Sequence, residues 1–159
     1  MLVDPKITIV TVVKNAENTI EDTLNSVLGQ NYNNIEYIVL DGKSSDKTMS
    51  IIKRYENKIS KIISVKDNGI YDAINIAIKK SSGSYIALLH GDDTYISKDI
   101  VKNNLNFLTS NNLDFTFSNL NVVDNKSKIY RKIISKNFKA SYLRYGIHPP
   151  HPTLFMKRK

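Results

Sequence analysis

Two adjacent carboxylates, Asp92 and Asp93, follow the apolar run 85–89 and a glycine, Gly91. Side by side in a cleft they repel each other unless a cation or hydrogen-bond donors are present. Mg²⁺ or Mn²⁺ takes one or two protein carboxylates and completes its shell with phosphate oxygens. Gly91 lets the backbone turn and approach a ligand closely. The plain alternative is a turn that leads into the next helix. Other acids decide between the two. Asn15 and Glu17, then Asp41, then Asp67 each stand just beyond an earlier apolar run. Acids at four successive run ends favour an ion with its phosphates.

The runs that must carry these residues alternate between two periods. Residues 6–13, 35–40, 61–65 and 85–89 are apolar and rich in β-branched residues, as strands buried on both faces are. Between them lie helical patterns. Ile20, Leu24, Val27 and Leu28 share one face, with Asn18 and Glu21 placed as a capping pair and Gly29 as a stop. Met49, Ile52 and Tyr55 mark a second helix. Ile74, Ala77 and Ile78 mark a third, and Ile100, Val101, Leu105 and Leu108, with Ser97 as cap, a fourth. This β-α-β-α-β-α-β order predicts a single α/β domain over 1–159 with a mostly parallel central sheet. Ligands of such sheets bind beyond the carboxyl ends of the strands, where the acids fall. Past Asn112 the pattern predicts two strands, 114–123 and 128–134, around a turn. The proline-rich stretch 148–152 is expected to be extended.

Among the remaining polar residues, Asp41 can accept hydrogen bonds from a base or ribose, or simply start its turn with Gly42. Asp46 reads as a helix cap ahead of Lys47 and Thr48. Asp72 and Asn75 stand three apart on one helical face, near the turn at Gly69. His148 and His151 flank prolines without metal-helix spacing and read as loop histidines. No G-x-G-x-x-G, P-loop or G-x-S-x-G motif is present. The absence of cysteine excludes a disulfide scaffold, a zinc finger and a thiol nucleophile.

Blocks of this sequence resemble glycosyltransferase family 2. They are 11–15, 26–30, 35–42 with 44–48, 67–75, and 83–86 continuing to Asp92 and Asp93, all in the family's order; 151–155 is a weaker match. The resemblance implies a GT-A fold and a nucleotide-diphospho-sugar donor, usually uridine-based. It implies that Thr11, Val13, Asn15 and Glu17 at the first strand end, with Asp41, hold the nucleobase. It places Asp67 near the base and turns Asp72 and Asn75 toward the nucleotide or sugar. Asp93 would ligate Mn²⁺ or Mg²⁺ on the diphosphate, and Asp92 would contact ribose or the metal. Lys43 departs from the small residue many relatives have there.

The family's inverting reaction also needs a carboxylate general base, normally in an acidic element downstream of the match to 151–155. Asp114 and Asp124 are the only acids after Asp99, and neither fits. No catalytic base is therefore assigned, and the chain is expected to be a C-terminally truncated member lacking the acceptor-binding segment. The rival readings are a nucleotide-sugar-binding module without turnover, and a sugar nucleotidyltransferase, whose Gly-rich opening loop is missing.

The 159 residues carry a net charge of +8, distributed unevenly. Residues 1–97 are near neutral, at −1, and residues 98–159 carry +9. Such a basic segment suits anionic lipid, phosphate or nucleic acid. An acidic cleft argues against nucleic acid. The expected acceptor is a saccharide or lipid-linked saccharide of surface polysaccharide or glycolipid assembly. The expected place is the cytoplasm, with peripheral contact at the inner face of the membrane; no apolar run is long enough to span it, and the N-terminus lacks a signal-peptide pattern.

Overall fold

The structure, a computed structural model, describes residues 4–66, 69–124, 127–135, 138–146 and 148–158. Four parallel strands form its centre: β1 (Ile7–Val13), β2 (Ile35–Asp41), β3 (Lys61–Ser64) and β4 (Tyr85–Leu88). They lie in the order β3-β2-β1-β4, so β1 and β4 are neighbours although two strands and the helices between them separate the pair in sequence. Helices α1 (Ile20–Leu28), α2 (Thr48–Lys53), α3 (Ile70–Lys79) and α4 (Ile100–Ser110) connect or follow them. The alternating α and β elements were legible because the sheet is covered on both faces. Ile7, Ile9 and Val13 pack with Ile20, Leu24, Val27, Ile52, Val101, Leu105 and Leu108 on one side. Val10, Val12, Ile38, Leu40 and Leu88 pack with Ala73 and Ala77 of α3 on the other. The two alanines present little bulk where α3 meets the sheet.

The helix starts differ from the expected caps. The cap position of α1 is Thr19, and Glu21 does not reach back to Asn18; it accepts a hydrogen bond from Tyr55 Oη (2.9 Å) and pairs with Arg54 (3.4 Å). A partner from the segment after α2 has displaced the local one. Asp99, not Ser97, stands at the cap of α4, and Ser97 Oγ accepts from the Asp99 N–H. Asp46 does serve the start of α2: its Oδ1 accepts from Thr48 N at 2.9 Å.

The C-terminal third departs most from expectation. In place of two strands there are three: β5 (Phe115–Thr116), then β6 (Leu120–Val123) and β7 (Ile129–Ile133), which form a separate hairpin. The stretch 148–152 is not simply extended either. A short 3₁₀ turn spans His151–Thr153 and leads into β8 (Phe155–Lys157). β8 runs antiparallel to both β4 and β5 and sits between them, completing a six-stranded sheet. The open edge of β4 supplies the pairing groups, and Phe155, 1% exposed, supplies the apolar anchor. Three residues are too few for a strand to show a period of its own.

Candidate functional site

The exits of β1 and β4 lie side by side because their ladder continues past the strands: Leu89 N donates to Val10 O (3.0 Å) and Gly91 N to Val12 O (3.2 Å). Gly91 is pressed against Val13, and a Cβ there would lie 2.5 Å from Val13 Cγ2. Its carbonyl accepts a hydrogen bond from Thr19 Oγ1 at 2.8 Å. Held on both sides, this glycine fixes where Asp92 and Asp93 emerge. Asp93 N closes the turn on His90 O (3.1 Å). Asp92 is exposed, whereas Asp93 is half-buried. Burial, and then the charge of Asp92, push the Asp93 carboxyl up to about 6, with a bond from the His90 backbone opposing them.

Both carboxylates line a cavity of about 1090 Å³ between the β1 exit, Gly69 and Ile70 ahead of α3, the hairpin residues Leu120 and Ile133, and the 148–152 segment. Val13 and Asn15 also line it. Asp92 and Asp93 are its only carboxylates among the described residues, and no Lys or Arg there forms an ion pair with either. No three described His, Cys, Asp or Glu side chains are grouped to hold a metal by themselves. This donor set suits a hard cation that takes two carboxylates from the protein and the rest of its shell from phosphate.

Of the other residues expected at the site, the described ones Thr11, Glu17, Asp41, Asp72 and Asn75 do not line this cavity. Thr11 is fully buried in the helix-covered core and shares a 3.0 Å hydrogen bond with Tyr37 Oη, so its side chain is not on the cavity wall. Thr11 points with Ile9 and Val13 into one layer, but it stands two residues short of the strand end, where Val13 reaches the cavity. Asp41 is 1% exposed; its carboxylate accepts from Ser44 N (3.2 and 3.3 Å) and Ser64 Oγ (2.9 Å) and shapes the loop after β2. Asp72 is half-buried and Asn75 exposed on α3, and neither lines the cavity. Asp67 lies outside the described residues.

Glu17 and Asn15 form a latch between the loops after β1 and β2. Glu17 N donates to Asp46 Oδ2 (3.1 Å), and Lys47 N donates back to Glu17 Oε2 (2.9 Å). Asn15 N donates to Ser44 Oγ and Asn15 Oδ1 accepts from Ser45 N, at 2.9 and 2.8 Å; Ala16 N donates to Thr48 Oγ1 at 2.8 Å. Asn15 and Lys43 hold left-handed backbone, φ 51° and 58°, to make this fit.

Three histidines complete the wall. His148 and His151, read from sequence as loop residues, both line the cavity, as does His90, which precedes Gly91. The His151 ring lies 4.7 Å from that of His90, centroid to centroid. Burial, aided by a neighbouring histidine in each case, holds both rings below the usual imidazole range, while Asp92 acts in the opposite direction on each. The signal for His151 was the match at 151–155 to a block that follows the paired acids.

A family model described as glycosyl transferase family 2 matches residues 8–158. The chain is 36% identical over 116 residues to the Escherichia coli UDP-Glc:alpha-D-GlcNAc-diphosphoundecaprenol beta-1,3-glucosyltransferase WfaP, covering 71% of this chain and 45% of that protein. Among solved structures, Staphylococcus aureus TarS 1-349 in complex with UDP-GlcNAc superposes with a TM-score of 0.68 at 24% identity, over 79% of this chain and 37% of that one. The mannosyltransferase PcManGT from Pyrobaculum calidifontis, in complex with GDP-Man and Mn²⁺, gives 0.68 at 20% identity, over 77% and 37%. The chain spans about half the length of the curated relatives it matches. It belongs to glycosyltransferase family 2 and has the GT-A fold.

Proposed function

We propose that this family 2 chain carries the donor half of a glycosyltransferase. The enzyme moves a sugar from a uridine-diphospho-sugar to an acceptor hydroxyl on a saccharide or lipid-linked saccharide, in surface polysaccharide or glycolipid assembly. The reading rests on one observation: Asp92 and Asp93, unpaired by any described cation, emerge beside the β1 exit on the wall of a 1090 Å³ cavity. Asp93, with Asp92, would hold Mg²⁺ or Mn²⁺, which supplies charge neutralisation for the departing nucleoside diphosphate. Val13 and Asn15 border the nucleotide, and the Glu17–Asp46 latch holds their loop in place. The uridine-sugar donor and lipid-linked acceptor in the name of the E. coli relative favour the same chemistry here. The Mn²⁺ complex of the Pyrobaculum protein favours the cation.

Inversion requires a general base for the acceptor hydroxyl, and no residue of this chain is assigned that role. The only carboxylates on the described cavity wall are the two that would hold the cation, which favours a second reading: a module that binds donor without transferring sugar. The site would work at the cytoplasmic face of a membrane, with the basic C-terminal segment in peripheral contact. No described helix is long and apolar enough to cross one.

Calorimetry of UDP, GDP and dTDP with and without Mn²⁺, on the native chain and on Asp93→Ala, tests the site. UDP uptake that needs Mn²⁺ and is lost in the variant is expected. Binding indifferent to both metal and substitution would overturn the assignment. Release of free or transferred sugar from UDP-sugar then separates transferase from binding module.

A further inference from the structure

His151 is exposed on the cavity side of a segment that is otherwise well anchored. Pro152 and Thr153 behind it are buried. Thr153 Oγ1 shares its one proton between Pro150 O (2.8 Å) and Ser118 O (3.1 Å), and accepts from Ser118 N (3.2 Å). Leu154 N donates to His151 O, and the next residue, Phe155, is paired with Ala87 of β4 and Thr116 of β5. The backbone under His151 is thus set by the central sheet rather than by a free loop. Its ring rests on His90, which is 9% exposed and directly precedes Gly91-Asp92-Asp93. His90 Nδ1 is buried and finds no hydrogen-bond partner among the described residues, so packing against His151, and not a bond through that nitrogen, orients the pair. Asp92 lies near enough to act electrostatically on both rings. Asp92, Asp93 and His151 line the same cavity, so an anion held there by a cation on the two carboxylates would come within reach of His151, whose ring can offer it an N–H.

We propose that His151 is a donor-binding residue of this chain: its imidazole N–H bonds a diphosphate oxygen of the nucleoside-diphospho-sugar, with His90 as the positioning residue beneath it. The proposal rests on the donor site described under Proposed function and adds a wall that the sequence assigned to a plain loop. It also gives the turn at His151 a role in binding, since docking on the sheet brings its ring onto His90 at the cavity wall.

The test compares UDP and uridine on the native chain, His151→Ala and His151→Phe, all with Mn²⁺. UDP affinity is read by calorimetry and uridine by ligand-observed NMR. Loss of a hydrogen bond to a charged phosphate is expected to weaken UDP about tenfold in both variants, leaving uridine unchanged. Phe keeps the ring packing on His90 and removes the N–H, so it carries the test if the alanine variant fails to fold. UDP affinity within about twofold of native in the phenylalanine variant, or an equal loss for UDP and uridine, overturns the contact. If the native chain itself takes up no UDP, the donor site falls and this contact with it. If it binds and the variants match it, only the contact falls.

Discussion

Gly91 and Val13 touch where β4 and β1 leave the sheet, with room for a hydrogen at Gly91 but not for a methyl: an added Cβ would lie 2.5 Å from Val13 Cγ2 and 2.9 Å from Val13 Cβ. Val13 is 3% exposed and packed in the core, so it has little space to retreat. Gly91→Ala is therefore expected to move the Asp92–Asp93 turn rather than Val13. Overpacking of this kind costs about 1–3 kcal/mol. Thermal unfolding should show that modest loss, and calorimetry should show Mn²⁺-dependent UDP binding falling far more than stability does. Native-like binding would show that the turn tolerates displacement.

The latch between the loops offers a second test through Thr48, which is fully buried and accepts the Ala16 N–H. Thr48→Val keeps the shape and leaves that N–H without its acceptor, a cost of about 1–3 kcal/mol. Weaker UDP binding with the same Mn²⁺ requirement is expected, since the carboxylates are untouched while the loop bearing Asn15 loosens. A variant as stable as the native chain would mean that the Ala16–Thr48 bond contributes nothing.

Acid stability should depend on Glu36, far from the cavity. It is 4% exposed on β2. Burial pushes its carboxyl up, but hydrogen bonds from Thr8 Oγ1 (2.6 Å), Ser82 N (2.6 Å) and Lys61 Nζ (2.9 Å) outweigh that and hold it down at about 2. A carboxylate lowered from 4.5 to about 2 contributes stability above its unfolded value, and the contribution is lost as pH falls from 4.5 toward 2. The amount is about 3 kcal/mol. Urea titrations at pH 6 and pH 3 should show the native chain losing more stability than Glu36→Gln over that interval. Equal losses would refute the assignment.

Phe155 should matter more than its place near the chain end suggests. It is 1% exposed, stacks near Tyr95 at 6.1 Å and joins β4 to β5. Phe155→Ala is expected to cost about 3–5 kcal/mol. Because β8 also carries the His151 turn into place, UDP binding should weaken as well, read on the folded fraction at low temperature.

The proposed membrane contact has exposed apolar and basic residues to act through. Tyr130, Leu143 and Tyr145 are exposed, at 69%, 57% and 79%, in a stretch of chain that also carries Lys128, Arg131, Lys132, Lys139 and Arg144. Co-sedimentation with phosphatidylserine-rich vesicles at low salt is expected, with loss at high salt as charge is screened. Equal binding to neutral vesicles would count against a charge-led contact.

The sequence alone determined the parallel centre of this fold and the location of its paired acids. Residues 6–13 and 85–89 are apolar almost throughout, and a strand buried on both faces needs that pattern whatever its neighbours are. Asp92 and Asp93 were found the same way, because the end of a parallel strand is a position in sequence as well as in space. Tertiary structure decided which side chains turn toward the cavity. Thr11 and Val13 stand two apart on one strand, yet only Val13 reaches the cavity, since Tyr37 takes up the Thr11 hydroxyl. Glu17 was legible as an acid at a strand end, but its partner, the Lys47 N–H, belongs to a loop that adjoins it only after β1 and β2 pair. His151 gained its place when β8 paired with β4 and brought its ring onto His90. Local patterns record burial, which each residue expresses through its own chemistry. Contacts between distant segments depend on strand order and pairing, which no short window contains.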